Sequence, residues 1–215
     1  MTSETTAALA LPQTPLTRAV LALTLQAESP AIANHSIRSF LFARLFADHI
    51  QAAPDADYDP DLLFAATVLH DIGLSEAGNG NHRFEVDGAD KAAEFLTGQG
   101  LGAAAVDSVW EAIALHTAQH IADRRGPLCM LTTNGISLDF GKGTEFISDE
   151  LGAAIHAQYP RHSMATSVVD VIVAQATARP DKAPPFSPAF ALLRERQTGQ
   201  PTILEHAAAL GRWGN

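Results

Sequence analysis

A single cysteine, Cys129, stands in 215 residues, which excludes an internal disulfide and any zinc site built on paired thiolates. Set in "GPLCML" among apolar neighbours, it reads as core filler rather than a nucleophile, because burial raises a thiol's pKa. Cations are scarce as well: 14 Lys and Arg against 24 Asp and Glu leave a formal charge of −10. Nucleic-acid binders gather Lys and Arg on one face, so no nucleic-acid partner is expected, and the pair Arg124-Arg125 reads as a solvated loop. No stretch reaches the roughly 20 apolar residues that span a bilayer. The opening "MTSETTAALALPQTPLTRAV" has neither the basic start nor the apolar run of a signal peptide. These absences predict a cytoplasmic protein with no membrane partner. Sustained apolar-polar alternation is missing too, which argues against a sheet.

What is present suits a buried core: 47% of residues are hydrophobic and 18% charged, and no segment looks like a linker between two cores. One all-α domain over residues 1–215 is expected, with its core at about 30–178. An N-terminal mobile arm should occupy residues 1–13, and a Pro-rich segment with short helices residues 179–215. Helical spacing of apolar residues predicts helices from Pro15 to Glu28, from Pro30 toward Ile50, and from Asp61 to Leu69. Two more follow over "EVDGADKAAEFLTGQG" and "AAAVDSVWEAIALHTAQH", the latter aligning Val109, Ile113, His116 and His120. The stretch "IADRRGPLCMLTTNGISLDFGKG" reads as a short helix and a loop. Glu145 to Tyr159 and Met164 to Ala178 are expected to be helical. "RPDKAPPFSP" breaks the pattern before two last helices, Ala189 to Gln197 and Thr202 to Leu210, which should pack through Phe190, Leu193, Ile203 and Trp213.

Within this helical pattern the chain drives polar ligand types into apolar runs. "LHDIG" sends His70 and Asp71 into the end of a core helix, where an imidazole and a carboxylate are costly unless paired, hydrogen-bonded or bound to a cation. Gly73 suits a left-handed turn closing that helix. His35 lies on a stripe with Ser39, Phe42 and Phe46, a position where a histidine is ordinarily a satisfied core residue. Together with Asp139 of "SLDFG", these groups make two imidazoles and two carboxylates. That set suits a divalent transition metal with coordination positions left open for water and substrate. Zinc is favoured, and iron or manganese suits the same donors. Asp149, the rival carboxylate, sits in "EFISDEL" at a helix start, where capping accounts for an acid.

"HS" at His35, "LHDIG" at His70 and Asp71, and a later Asp resemble an HD-domain metalloprotein. "NHSIRSFLF", "RFEVDGAD" and "VWEAIALHT" further resemble the small HD proteins related to fungal cyanamide hydratase, over roughly Asn34 to Gly143. The resemblance implies an all-helical HD bundle with one metal held by His35, His70, Asp71 and Asp139. It departs from the dinuclear HD pattern, since Phe84 stands where those proteins carry a histidine, His82 is displaced by two residues, and Thr117 follows His116. A mononuclear site is therefore expected.

His116, with an unperturbed pKa near 6.5, is the candidate to donate or relay a proton beside the metal, against a plain core role. Phe84, Glu85 and Asn34, with His116, are the candidate substrate-binding residues. Solvated loop acid is the bland reading of Glu85; for Asn34 and Arg38 it is a group at a helix start that supports the ligands from behind. His82 reads as a loop residue at the pocket edge, and His120 as an exposed helix-end residue. The favoured activity is a hydratase or hydrolase of a small neutral molecule, with cyanamide to urea implied by the resemblance. The alternative is an HD-type phosphohydrolase of a nucleotide or phosphate monoester, for which only Arg83, Lys91 and Lys142 offer cations near the motifs. A metal-stabilised binding domain without turnover is a third reading. Homo-oligomers are compatible with all three.

Overall fold

In the computed structural model, which describes residues 3–215, every regular element is a helix, and the described residues contain no β-strand. The α-helices are α1 (Ser3–Leu9), α2 (Pro15–Ala27), α3 (Pro30–His49), α4 (Pro60–Val68), α5 (Phe84–Gly98) and α6 (Ala103–Ala114). Then come α7 (Pro127–Asp139), α8 (Asp149–Gln158), α9 (Met164–Ala178), α10 (Pro188–Arg196) and α11 (Ile203–Leu210). Four of them start the same way. Thr14, Ser29, Asp59 and Ser187 each turn a side-chain oxygen onto a backbone N–H of the first turn, and proline follows at the first helical position. There its missing N–H costs nothing and its fixed φ is already helical. Thr202 and Glu205 close α11 with a reciprocal capping box.

The long helix α3 runs through the centre and packs most extensively on α7. Gly135 permits that approach, since a Cβ there would lie 2.3 Å from the Ser39 carbonyl oxygen and 2.7 Å from the Ala43 Cβ. A main core of Phe40, Phe42, Leu63, Phe64, Leu96, Ile113 and Leu131 fills the space among α3, α4, α5, α6 and α7. A second core, from Ile32 and Phe84 through Met164, Val169 and Ile172 to Leu192, joins α9, α10 and α11 to the bundle.

Several expectations change. Residues 1–2 of the proposed arm lie outside the described residues, but Ser3–Leu9 is helical, Leu9 is buried, and Arg44 donates to the Ala10 carbonyl at 2.6 Å. The stretch before "FGKG", read as a short helix and a loop, holds the full helix α7, a core element whose polar threonines and Asn134 mask the length of its apolar period. Conversely, the helix through His116 and His120 stops at Ala114. His116 follows in a turn, and His120 is exposed with φ 67°. Gly73 is needed for proximity, not handedness: it lies in a short 3₁₀ turn, Ile72–Leu74, and a Cβ there would meet the Phe84 carbonyl oxygen at 2.1 Å. At the C-terminus, Ala189 and Leu192 are the buried anchors, while Phe190 and Ile203 are 38% and 73% exposed. Trp213 does pack inward, stacking on Phe42 and donating its indole N–H to the Leu138 carbonyl at 2.7 Å.

Candidate metal centre

Three histidines from three parts of the chain are turned toward Asp71 by the same device. His35, on α3, has its Nδ1 2.6 Å from an Asp139 carboxylate oxygen. His70, just beyond α4, has Nδ1 2.8 Å from the Thr67 carbonyl, and His116, just beyond α6, has Nδ1 2.7 Å from the Ile113 carbonyl. Carbonyls and carboxylates only accept, so each Nδ1 carries the proton and donates it. That leaves the three Nε2 atoms on the side of the Asp71 carboxylate. The rings meet edge to face, with centroids 5.0 Å apart for His35 and His70 and 4.9 Å for His70 and His116. Fixing a ligating imidazole through its other nitrogen is how metal sites set tautomer and orientation.

Asp71 completes the cluster. Its carboxylate lies 3.3 Å from His70 Nε2, 3.9 Å from His35 Nε2 and 4.0 Å from His116 Nε2, and it is buried. Its Oδ2 has no hydrogen-bond partner. A buried carboxylate oxygen facing imidazole lone pairs needs a cation. One ligand atom each from His35, His70 and Asp71 lie within 4.8 Å of one another, a spacing that can hold a single ion. Burial lowers the His70 pKa, but the negative charge of Asp71 beside it and the Thr67 carbonyl outweigh that effect, and the net shift is upward. The neighbouring imidazoles hold Asp71 ionised against the effect of its burial. His35 is lowered by burial, with Asp139 opposing, and His116 falls to about 4 through burial and the nearby His70. At neutral pH His116 is thus uncharged, with a free lone pair on Nε2.

Asp139, expected as the fourth ligand, is placed otherwise. It ends α7, fully buried, and it serves His35 rather than joining the three-residue cluster. Both of its oxygens are engaged by the guanidinium of Arg38, at 2.7 and 2.8 Å, and Arg161 adds a contact at 3.2 Å. Burial would raise its pKa, but the Arg38 charge prevails and keeps it well below the carboxylate range. Two cations on one carboxylate fix the anion to which His35 donates.

The cluster forms the floor of a chamber of about 520 Å³ whose walls are mostly apolar. Phe84 lines it, with its ring centroid 5.6 Å from that of His116. Glu85 does not reach it. That carboxylate is fully buried and receives Arg83 at 2.6 Å and the Thr117 hydroxyl at 2.8 Å, so it acts on the chamber only through Thr117. Asn34 turns away to donate to the Pro160 carbonyl at 2.8 Å and is not a wall residue. His82 is an exposed loop residue beside Asp87, outside the chamber. Of the three cations near the motifs, Arg83 is paired with Glu85 and Lys91 with Glu94, and only Lys142 lines the chamber. Asp149 sits in the first turn of α8, capped by Ser148, and pairs with Arg212.

Sequence reasoning missed the carbonyl partners of His70 and His116, the Arg161 clamp, and the chamber walls from α9, α10 and α11. The apolar residues Ala191, Leu192 and Leu204 carried a signal for burial, but none for facing a site.

A family model described as the HD domain matches residues 32–176. That span contains His35, His70, Asp71, His116 and Asp139, and it ends within α9. Comparison with curated protein sequences finds no match. No helix among the described residues is long and apolar enough to cross a membrane.

Proposed function

The chain belongs to the HD-domain family, and from that premise we propose that it is a metal-dependent hydratase or hydrolase, similar to cyanamide hydratase, acting on a small neutral substrate. Hydration of cyanamide to urea is the favoured reaction. The observation that carries this reading is the orphaned Asp71 Oδ2 among oriented imidazoles, at the floor of a chamber whose lining, among the described residues, carries one lysine and no arginine.

A divalent metal held by His35, His70 and Asp71, one per chain and zinc by preference, would supply a water made nucleophilic near neutral pH. The residues of the chain do the rest. His116 presents an unprotonated Nε2 beside the cluster and takes the proton released as the water oxygen bonds to the nitrile carbon. One C–N π pair moves onto nitrogen, which receives that proton from His116, and the resulting isourea becomes urea by moving a proton from oxygen to nitrogen. Phe84 packs against the His116 ring and keeps bulk water from it. Asp139, clamped by Arg38 and Arg161, holds His35 in its orientation.

A phosphate dianion beside Asp71 would need compensating positive charge beyond the metal, and Arg83 and Lys91 are already paired. This disfavours the phosphohydrolase reading. Protein purified without chelators is to be analysed for metal and assayed for urea release from cyanamide and phosphate release from nucleotides and monoesters. About one metal per chain with metal-dependent urea release is the expected result. Phosphate release that outpaces urea release by a wide margin would replace this reading with the phosphohydrolase one.

A further inference from the structure

Cyanamide is smaller than a leucine side chain, yet the chamber above the cluster measures about 520 Å³, within the range of pockets that enclose much larger ligands. The excess space has a definite chemistry. Val168 and Ile172 of α9 form one wall, and Pro188, Leu192, Leu204 and Ala207 of α10 and α11 form the other. Apart from the cluster residues, its charged lining among the described residues is Lys142 and Glu195, one of each sign. Glu195 is further occupied in accepting the Ile203 backbone N–H at 2.9 Å.

The wall formed by α10 and α11 lies beyond residue 176, where the match to the HD family ends. It is also held in place. Arg196 of α10 reaches Asp170 of α9 at 2.9 Å and Glu205 of α11 at 3.0 Å, which ties the three helices together. At the rim, Ile203 stays 73% exposed although its neighbour Leu204 packs on the second core. An apolar, charge-balanced wall continuous with the reactive floor is suited to an uncharged hydrocarbon group, because it gains by dehydration and has no net charge to hold an ionic one.

We infer that α10 and α11 form a specificity subsite for an apolar alkyl or aryl substituent, so that the substrate is a neutral molecule whose electrophilic carbon carries such a group. This rests on the proposed hydration chemistry. For an N-substituted cyanamide the balance is R–NH–C≡N plus water giving R–NH–CO–NH₂, with the same bond changes as above and no further reactant.

The test compares cyanamide with methyl-, propyl- and benzylcyanamide on the metal-loaded full chain. Burial of each added methylene should raise kcat/KM by about three- to fourfold until the chamber is filled. Ala191 is an exposed position of α10 that also lines the chamber, so Ala191→Asp can place a charge on the wall without disturbing the core. In that variant, with an unchanged melting temperature as control, the benzylcyanamide-to-cyanamide preference should drop at least tenfold. A flat series, or a preference unmoved by the variant, overturns the subsite. If no cyanamide is hydrated, the chemistry has failed and the wall is judged by calorimetry with benzylurea and urea as probes. Benzylurea binding at least tenfold tighter, and weakened by Ala191→Asp, upholds the apolar subsite; equal binding overturns it.

Discussion

His35 and Asp139 meet at 2.6 Å although 104 residues separate them, one inside α3 and the other at the end of α7. The contact works in two directions. It turns His35 Nε2 toward Asp71, and it puts Asp139 under the guanidinium groups of Arg38 and Arg161, which balance its buried charge.

Asp139→Asn should therefore weaken the fold and metal binding together. Removing the charge leaves Arg38 and Arg161 buried without their counter-ion, a loss of about 3–5 kcal/mol for a broken buried pair. Because the amide can still accept from His35, metal affinity should fall by about 10–100-fold rather than vanish. Denaturant unfolding and competition with a chelating dye measure the two effects. Complete loss of metal, equal to that in a cluster variant, would make Asp139 a direct ligand.

His70→Ala or Asp71→Ala should abolish stoichiometric metal binding, since each removes one of the three groups that converge. Chelator added to the wild-type protein should lower its melting temperature, because a ligand at 100 times its Kd stabilises the native state by about 2.7 kcal/mol. Metal analysis and calorimetry test this. Full metal content in both variants would mean that the ion sits elsewhere.

His116→Ala should keep the metal and lose about 10²- to 10⁴-fold in turnover, the usual contribution of a positioned acid-base group. Single-turnover assays with metal content measured in parallel separate the outcomes. Unchanged turnover assigns His116 to packing, and loss of metal makes it a ligand through the Nε2 that faces Asp71.

Cys129 should resist thiol reagents until the protein unfolds. Burial and the adjacent Glu111 carboxylate push its pKa up to about 11, whereas an unfolded thiol ionises near about 8.5. Between those values the unfolded chain has lost a proton that the folded chain keeps, so this group lowers stability as pH rises. Reaction with a disulfide reagent at pH 8, with and without denaturant, checks the prediction; rapid labelling of the native protein would contradict it.

Gly135→Ala should strain the crossing of α3 and α7, since its Cβ would sit 2.3 Å from the Ser39 carbonyl oxygen. Overpacking of this kind costs roughly 1–3 kcal/mol. In a chain of this size, a melting point falls by about 2–4 °C for each kcal/mol. A thermal scan that leaves it unchanged would show that the helices separate at little cost.

Local chemistry determined much of this protein. Capping residues followed by proline mark where α2, α3, α4 and α10 begin, and apolar spacing marks the helical class, because both act over a few residues. The doublet His70-Asp71 in a core run announced a need for a cation, since burial makes unpaired polar groups costly whatever the fold. Tertiary structure decided what spacing cannot encode. α7 became a core helix over its whole length because α3 covers it on its Gly135 face, although its threonines and Asn134 interrupt the apolar period and the stretch reads as a short helix and a loop. Asp139 was drawn to Arg38 and Arg161, brought from 101 and 22 residues away, so its role follows from which charges share its burial. The apolar wall over the cluster exists only where α9, α10 and α11 assemble: the hydrophobic effect fixes that these side chains leave water, but their direction, toward a core or a chamber, depends on how the helices pack.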